Sequence, residues 1–239
     1  MPEEGISSEI GGVSTDRRAL DAVNLALRLL SALILPVLLL AQEPKAAPGM
    51  AEKDLPSLLA AAKDALDRED FPAAVEALSV VVGKEPEMAA AWFNLAYAYG
   101  AMGRNEEAAK AYEKTLEIHP NLFEARLNLG ILLIQEEHAD AALEHLAKAV
   151  ELKPEHARGH LYYGRALQMA GQSPAAEKQF EESLRLDPRS AIAHFDLGQL
   201  RLSAKDHAGA LEHFRKAREI NPDLAPARLG LALALEGVG

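Results

Sequence analysis

The 239 residues are 49% hydrophobic and 26% charged, which supports a packed core and is far from the composition of a disordered chain. A formal net charge of -11 opposes binding to nucleic acid, whose phosphates call for a Lys/Arg excess, and makes a basic or neutral partner surface easier to accommodate. The absence of cysteine excludes disulfides, thiolate metal sites, cysteine nucleophiles and lipid attachment to an N-terminal cysteine.

Taken in chain order, residues 1–41 read as a signal or anchor segment. Leu29 to Ala41 (LLSALILPVLLLA) carries no charge, follows Arg17, Arg18 and Arg28, and precedes the polar stretch QEPKAAPG. Basic flank, apolar stretch and small-residue region come in the order of a secretory signal. The stretch is shorter than the ~20 apolar residues a spanning helix needs, and Pro36 weakens it further. Cleavage after Ala41 implies an exported protein, periplasmic or extracellular. An uncleaved segment implies an inner-membrane anchor and membrane association. Residues 1–22 are acidic at the start and long for the leading region of a signal, so initiation at Val23 is an alternative start. Residues 42–54, rich in Ala, Pro and charge, read as a flexible linker.

From residue 55 the chain is periodic. Prolines 86, 120, 154, 188 and 222 are each 34 residues apart. Such a period marks stacked supersecondary units, here 55–88, 89–122, 123–156, 157–190 and 191–224, with a terminal helix in 225–239. The eighth residue of each unit is small (Ala62, Ala96, Gly130, Gly164, Gly198, Ala232) and the twentieth is Ala (Ala74, Ala108, Ala142, Ala176, Ala210). Small residues at both points let two antiparallel helices approach closely. Large apolar residues recur at positions seven (Leu95, Leu129, Tyr163, Leu197, Leu231), twenty-four (Leu78, Tyr112, Leu146, Phe180, Phe214) and thirty (Ile118, Leu152, Leu186, Ile220), and form the expected core stripe. Turn signals such as Gly103-Arg104-Asn105 separate helix A from helix B, and helix B should stop just ahead of the unit proline.

The segment Trp92–Pro120, WFNLAYAYGAMGRNEEAAKAYEKTLEIHP, closely resembles the tetratricopeptide repeat consensus, and the resemblance extends over residues 55–239. It implies an all-α fold, a right-handed α-solenoid of helix-turn-helix repeats whose concave groove, lined mainly by helix A, binds peptides or protein segments. Unit one departs from the pattern at Ala61, Ala65 and Lys84 and is expected to be a frayed or capping repeat. The sixth unit has a helix A alone, and Leu229, Leu231, Leu233 and Leu235 cannot all point inward from one helix. Apolar surface should stay exposed there, as for a C-terminal partner, a homodimer contact or a shortened chain.

In the family, helix A positions two, five, six, nine and twelve face the groove. Carried over, position five supplies Leu59, Phe93, Leu127, Leu161 and Phe195, and position six supplies Asn94, Asn128, Tyr162 and Asp196. An Asn amide can both donate to and accept from an extended ligand backbone. Tyr97, Arg158, Arg165, Gln168 and Gln199 complete the expected peptide-binding groove. Position five lacks Lys, which argues against the clamp with which some members hold a ligand's terminal carboxylate.

No catalytic, cofactor-binding or metal-binding residues are expected. His156 and His160, or His138 and His145, fit no HExxH arrangement. His160 and His194 share a repeat position usually filled by a bulky packing residue. No phosphate loop, nucleophile elbow or paired-carboxylate motif is present. The leading functional reading is a non-catalytic scaffold or adaptor for a protein or peptide ligand. The alternatives are the substrate-docking repeats of a larger enzyme system, such as a glycosyltransferase, and a self-assembling structural module.

Overall fold

The structure, a computed structural model, describes residues 49, 50 and 52–238. The described residues form eleven α-helices and no strand. They alternate as helix A and helix B: α1 (Leu55–Asp67) and α2 (Phe71–Lys84), α3 (Ala89–Ala101) and α4 (Asn105–Ile118), α5 (Phe123–Gln135) and α6 (Ala139–Leu152), α7 (Ala157–Met169) and α8 (Ser173–Leu186), α9 (Ala191–Ser203) and α10 (His207–Ile220), and α11 (Ala225–Val238).

Local chemistry places the boundaries. Each complete helix B ends two residues before its unit proline, at Lys84, Ile118, Leu152, Leu186 and Ile220. Asp54, Asp70, Ser190 and Asp206 cap helix starts by accepting from the backbone N–H three residues on. Between helix A and helix B the chain enters the left-handed region at position fifteen of every unit: Glu69, Gly103, Glu137, Gly171 and Lys205. The reversal is therefore required by the packing, and three units make it without the glycine that adopts it most easily.

A second device recurs at position four, where a side chain reaches back to the carbonyl of the preceding unit's proline. Trp92 Nε1 donates to Pro86 at 2.8 Å, Arg126 Nε to Pro120 at 2.8 Å, and His160 and His194 reach Pro154 and Pro188 through Nε2 at 2.8 and 3.3 Å. The two histidines thus serve the joint between units. Among the described residues no group of three or more His, Asp or Glu is arranged to hold a metal.

The core follows the repeat with one correction. Position twenty-four is buried throughout, and position seven is buried at Leu95, Leu129, Leu197 and Leu231 and half-buried at Tyr163. Position thirty (Ile118, Leu152, Leu186, Ile220) is only half-buried. The inner place on helix B falls instead to position twenty-seven, occupied by Val81, Thr115, Ala149, Ser183 and Ala217 at 0–1% exposure. Thr115 fits there because its hydroxyl donates to the Ala111 carbonyl at 2.9 Å. The small eighth position is as tight as the pattern implies: a Cβ on Gly164 would lie 2.6 Å from the Phe180 ring, and one on Gly198 would lie 2.9 Å from Phe214.

At the edges, Met50 packs against the first core cluster and Lys84 Nζ donates to the Lys53 carbonyl at 2.9 Å. The end of the expected linker is thereby held against unit one. On α11, Leu231 is buried, while Leu229, Leu233 and Leu235 are 65%, 46% and 49% exposed. The expected signal or anchor segment, residues 1–41, lies outside the described residues. Among the described residues no helix is long and apolar enough to cross a membrane.

Candidate peptide-binding groove

Helices A of units three to six touch one another in series, and they do so more closely than successive helices B. The stack is therefore narrower on the helix A side, which makes that side the inner surface. Charge divides along the same line. Helices A of units two to five carry Arg126, Arg158, Arg165 and Arg201 against Glu124 and Asp196, whereas their helices B carry twelve acidic and eight basic residues. Helices A of these units thus carry a net charge of +2 and helices B a net charge of -4.

The expected groove residues fall into distinct situations. At position five, Leu127 and Leu161 are buried in the core at 5% and 6% exposure, so their side chains belong to unit packing. Phe93 and Phe195 are half-buried, each against the position-twenty-four ring of its own unit, with ring centroids 5.6 Å apart for Phe93–Tyr112 and 5.9 Å for Phe195–Phe214. At position six, Asn94 is half-buried with no hydrogen-bond partner among the described residues. Asn128 donates to the Tyr112 hydroxyl at 3.2 Å. Burial pushes that phenol up to about 12, so it stays protonated under ordinary conditions.

Unit four gathers the cations. The guanidinium carbons of Arg158 and Arg165 both lie 5.3 Å from the centre of the Tyr162 ring. Arg165 is also held by Asp196 at position six of the next unit, with Nε–Oδ2 and Nη2–Oδ1 distances of 2.5 and 3.3 Å. Asp196 is buried, and burial raises its pKa while the bond to Arg165 pulls it back. Arg165 is thus committed to an internal partner, a constraint that its sequence position does not reveal. Arg201 is committed as well, to Glu177 at 2.5 Å and Asp206 at 3.1 Å. Arg158 is exposed and makes no ion pair among the described residues. Tyr97 and Gln199 are exposed and Gln168 is half-buried. Among the described residues Tyr97 touches one other ring, that of Phe71, edge-on at 6.0 Å.

A cleft of about 150 Å³ opens between α1 and α3, with Leu59, Leu66, Leu78 and Met88 as its apolar wall and Asn94 and the Lys63–Asp67 ion pair among its polar lining. Sequence reasoning placed Asn94 in the groove but missed this cleft. The small side chains that line it are Ala62 on α1 and Ala90 and Ala91 on α3, and that run of alanines facing Leu59 was the available signal.

Comparison with known proteins agrees with this architecture. The family model described as tetratricopeptide repeat matches residues 59–123, 127–172 and 164–225. A 78-residue stretch is 32% identical to the peroxisomal targeting signal receptor of Candida albicans (strain SC5314 / ATCC MYA-2876), covering 33% of this chain and 13% of that receptor. Among solved structures, MamA 41-end from Desulfovibrio magneticus RS-1 superposes with a TM-score of 0.67 at 23% identity, over 74% of this chain and 98% of that one. YrrB, described as a TPR protein with an unusual peptide-binding site, gives 0.64 at 24% identity, over 70% of this chain and 87% of its own. With the 34-residue period, the paired helices and the family model in agreement over most of its length, the chain belongs to the tetratricopeptide repeat family.

Proposed function

We propose that this protein is a non-catalytic scaffold that holds a peptide or protein segment along the inner face of its helices A. The observation that carries the reading is a set of side chains on that face with spare capacity among the described residues: Asn94 without a hydrogen-bond partner, Tyr97 51% exposed, and Arg158 without a carboxylate. Monomeric proteins seldom leave large side chains open in a concave surface unless they meet another molecule. The test is a crosslinking pull-down with the full chain and an Asn94→Ala, Tyr97→Ala, Arg158→Ala variant. The reading expects a partner that the parent captures and the folded variant loses. Equal capture by both would move binding away from this face.

We also propose export to the cell envelope, from the basic-apolar-polar order of residues 17–48. Fractionated cells should yield a chain beginning near Gln42 outside the cytoplasm. A full-length cytoplasmic chain refutes it.

A second reading, self-association, is favoured by Leu229, Leu233, Leu235 and Val238, all at least 46% exposed on α11. It expects a concentration-dependent dimer by sedimentation that Leu229→Glu with Leu233→Glu abolishes. A parent chain that stays monomeric at high concentration rules it out.

A further inference from the structure

Resting on the groove reading, we propose that the ligand is an extended segment with two fixed features: a bulky apolar residue seated in the cleft between α1 and α3, and an acidic residue about six to eight positions away that meets Arg158 on α7. The cleft supplies the first half. At about 150 Å³ with Leu59, Leu66, Leu78 and Met88 on its wall, it is of the size of apolar cavities that take up a benzene-sized group. Asn94 lines the same cleft and has an unused amide donor and acceptor, suited to the backbone beside the anchored residue.

The second half comes from Arg158. The other helix A arginines of units two to five are engaged: Arg126 by the Pro120 carbonyl, Arg165 by Asp196, and Arg201 by Glu177 and Asp206. Glu124, which shares position two with Arg158 in the preceding unit, is neutralised by Lys153 at 2.6 Å. Arg126 also lacks a carboxylate but spends its Nε–H on the Pro120 carbonyl, whereas Arg158 has no hydrogen-bond or ion-pair partner among the described residues and lies exposed against the Tyr162 ring. An aromatic face steadies a guanidinium without consuming its N–H donors, which remain free for a carboxylate.

With each helix A step taken as the roughly 8–10 Å that separates packed helices, the cleft and α7, two and a half steps apart, are separated by about 20–25 Å. An extended chain covers that in about six to eight residues at ~3.3 Å each.

The test is selection of a displayed library of random twelve-residue segments on the full chain, followed by binding titrations of the enriched segments as C-terminally amidated peptides, so that no terminal carboxylate contributes. The expected result is enrichment of Asp or Glu about six to eight positions from Leu, Met or Phe. Replacing that acid by Gln should weaken binding about tenfold, the size of one charge-assisted hydrogen bond, and Arg158→Glu should reverse the preference toward Lys. Enriched segments that bind equally with Glu or Gln, and that still lose binding on Asn94→Ala with Tyr97→Ala, overturn this inference and leave the groove reading standing. Segments that bind equally to all these variants, or a library from which nothing enriches, overturn both.

Discussion

The two ends of the inner face use the same repeat positions for different purposes. In units one and two, position five is the 36% exposed Leu59, position six is the unpartnered Asn94, and position nine is the 51% exposed Tyr97. Where units four and five meet, position five of unit four is the buried Leu161, and its position nine, Arg165, is paired with Asp196 at position six of unit five. One end is open and the other is tied to itself. Repeat register therefore tells where a side chain stands, while its neighbours from helix B and from the next unit decide whether it is free.

That contrast can be broken most forcefully beneath the closed end. Phe180 is fully buried against Gly164, and Phe180→Ala should cost about 3–5 kcal/mol in urea unfolding. A loss under 1 kcal/mol would mean that the helix pair collapses onto the cavity. Gly164→Ala acts from the opposite side, since the added methyl would sit 2.6 Å from that ring, and about 1–3 kcal/mol is expected from overpacking.

Arg165→Gln should cost about 1–3 kcal/mol, because Asp196 would keep its burial and lose its guanidinium. Asp196 should then titrate still higher, readable by NMR of its carboxyl carbon. A folded-state pKa above the unfolded value favours the folded state at low pH and is lost as pH rises, so the variant should regain part of its deficit toward pH 4.

A pH effect of opposite sign is expected from the joint below unit five. His213 is lowered to about 4 by burial, with the nearby His194 contributing, and the two Nδ1 atoms lie 3.1 Å apart. His194 Nε2 faces the Pro188 carbonyl, so the neutral pair is satisfied when His194 donates there and His213 donates Nδ1–H to the bare Nδ1 of His194. A lowered histidine contributes stability above its unfolded pKa of 6.5 and loses it as pH falls toward 4. Melting temperature should drop on acidification through that window, and His213→Asn should flatten the drop.

The smallest stability effects are expected at exposed side chains, Tyr97→Ala at the open end and Arg158→Ala in unit four, each of which should change unfolding by about 0.5 kcal/mol or less, as exposed substitutions generally do. Equal stability losses at the two ends would erase the distinction drawn between them.

Much of the fold was legible in the residues. The 34-residue spacing of five prolines set the units, and the small residues at positions eight and twenty marked where the paired helices meet, as the contact of Gly164 with Phe180 and the complete burial of Ala176 show. Position thirty looked like core but is half-buried, because in a single sequence an apolar residue near the end of helix B has the same appearance whether it faces its partner or only the joint to the next unit. The buried twenty-seventh position escaped notice because Thr115 and Ser183 are polar and Ala149 and Ala217 are small. The sequence by itself determined the period and the helix pairing, since these depend on local propensity and on spacing along the chain, while the groove side was what the resemblance to the family implied. Only the tertiary structure decided that Arg165 is engaged and Arg158 is not, that Asn128 serves Tyr112 while Asn94 has no partner, and that a cleft opens beside Leu59. Each of those outcomes depends on which side chain a neighbouring helix presents within about 3–5 Å, a distance that spacing along the chain does not encode.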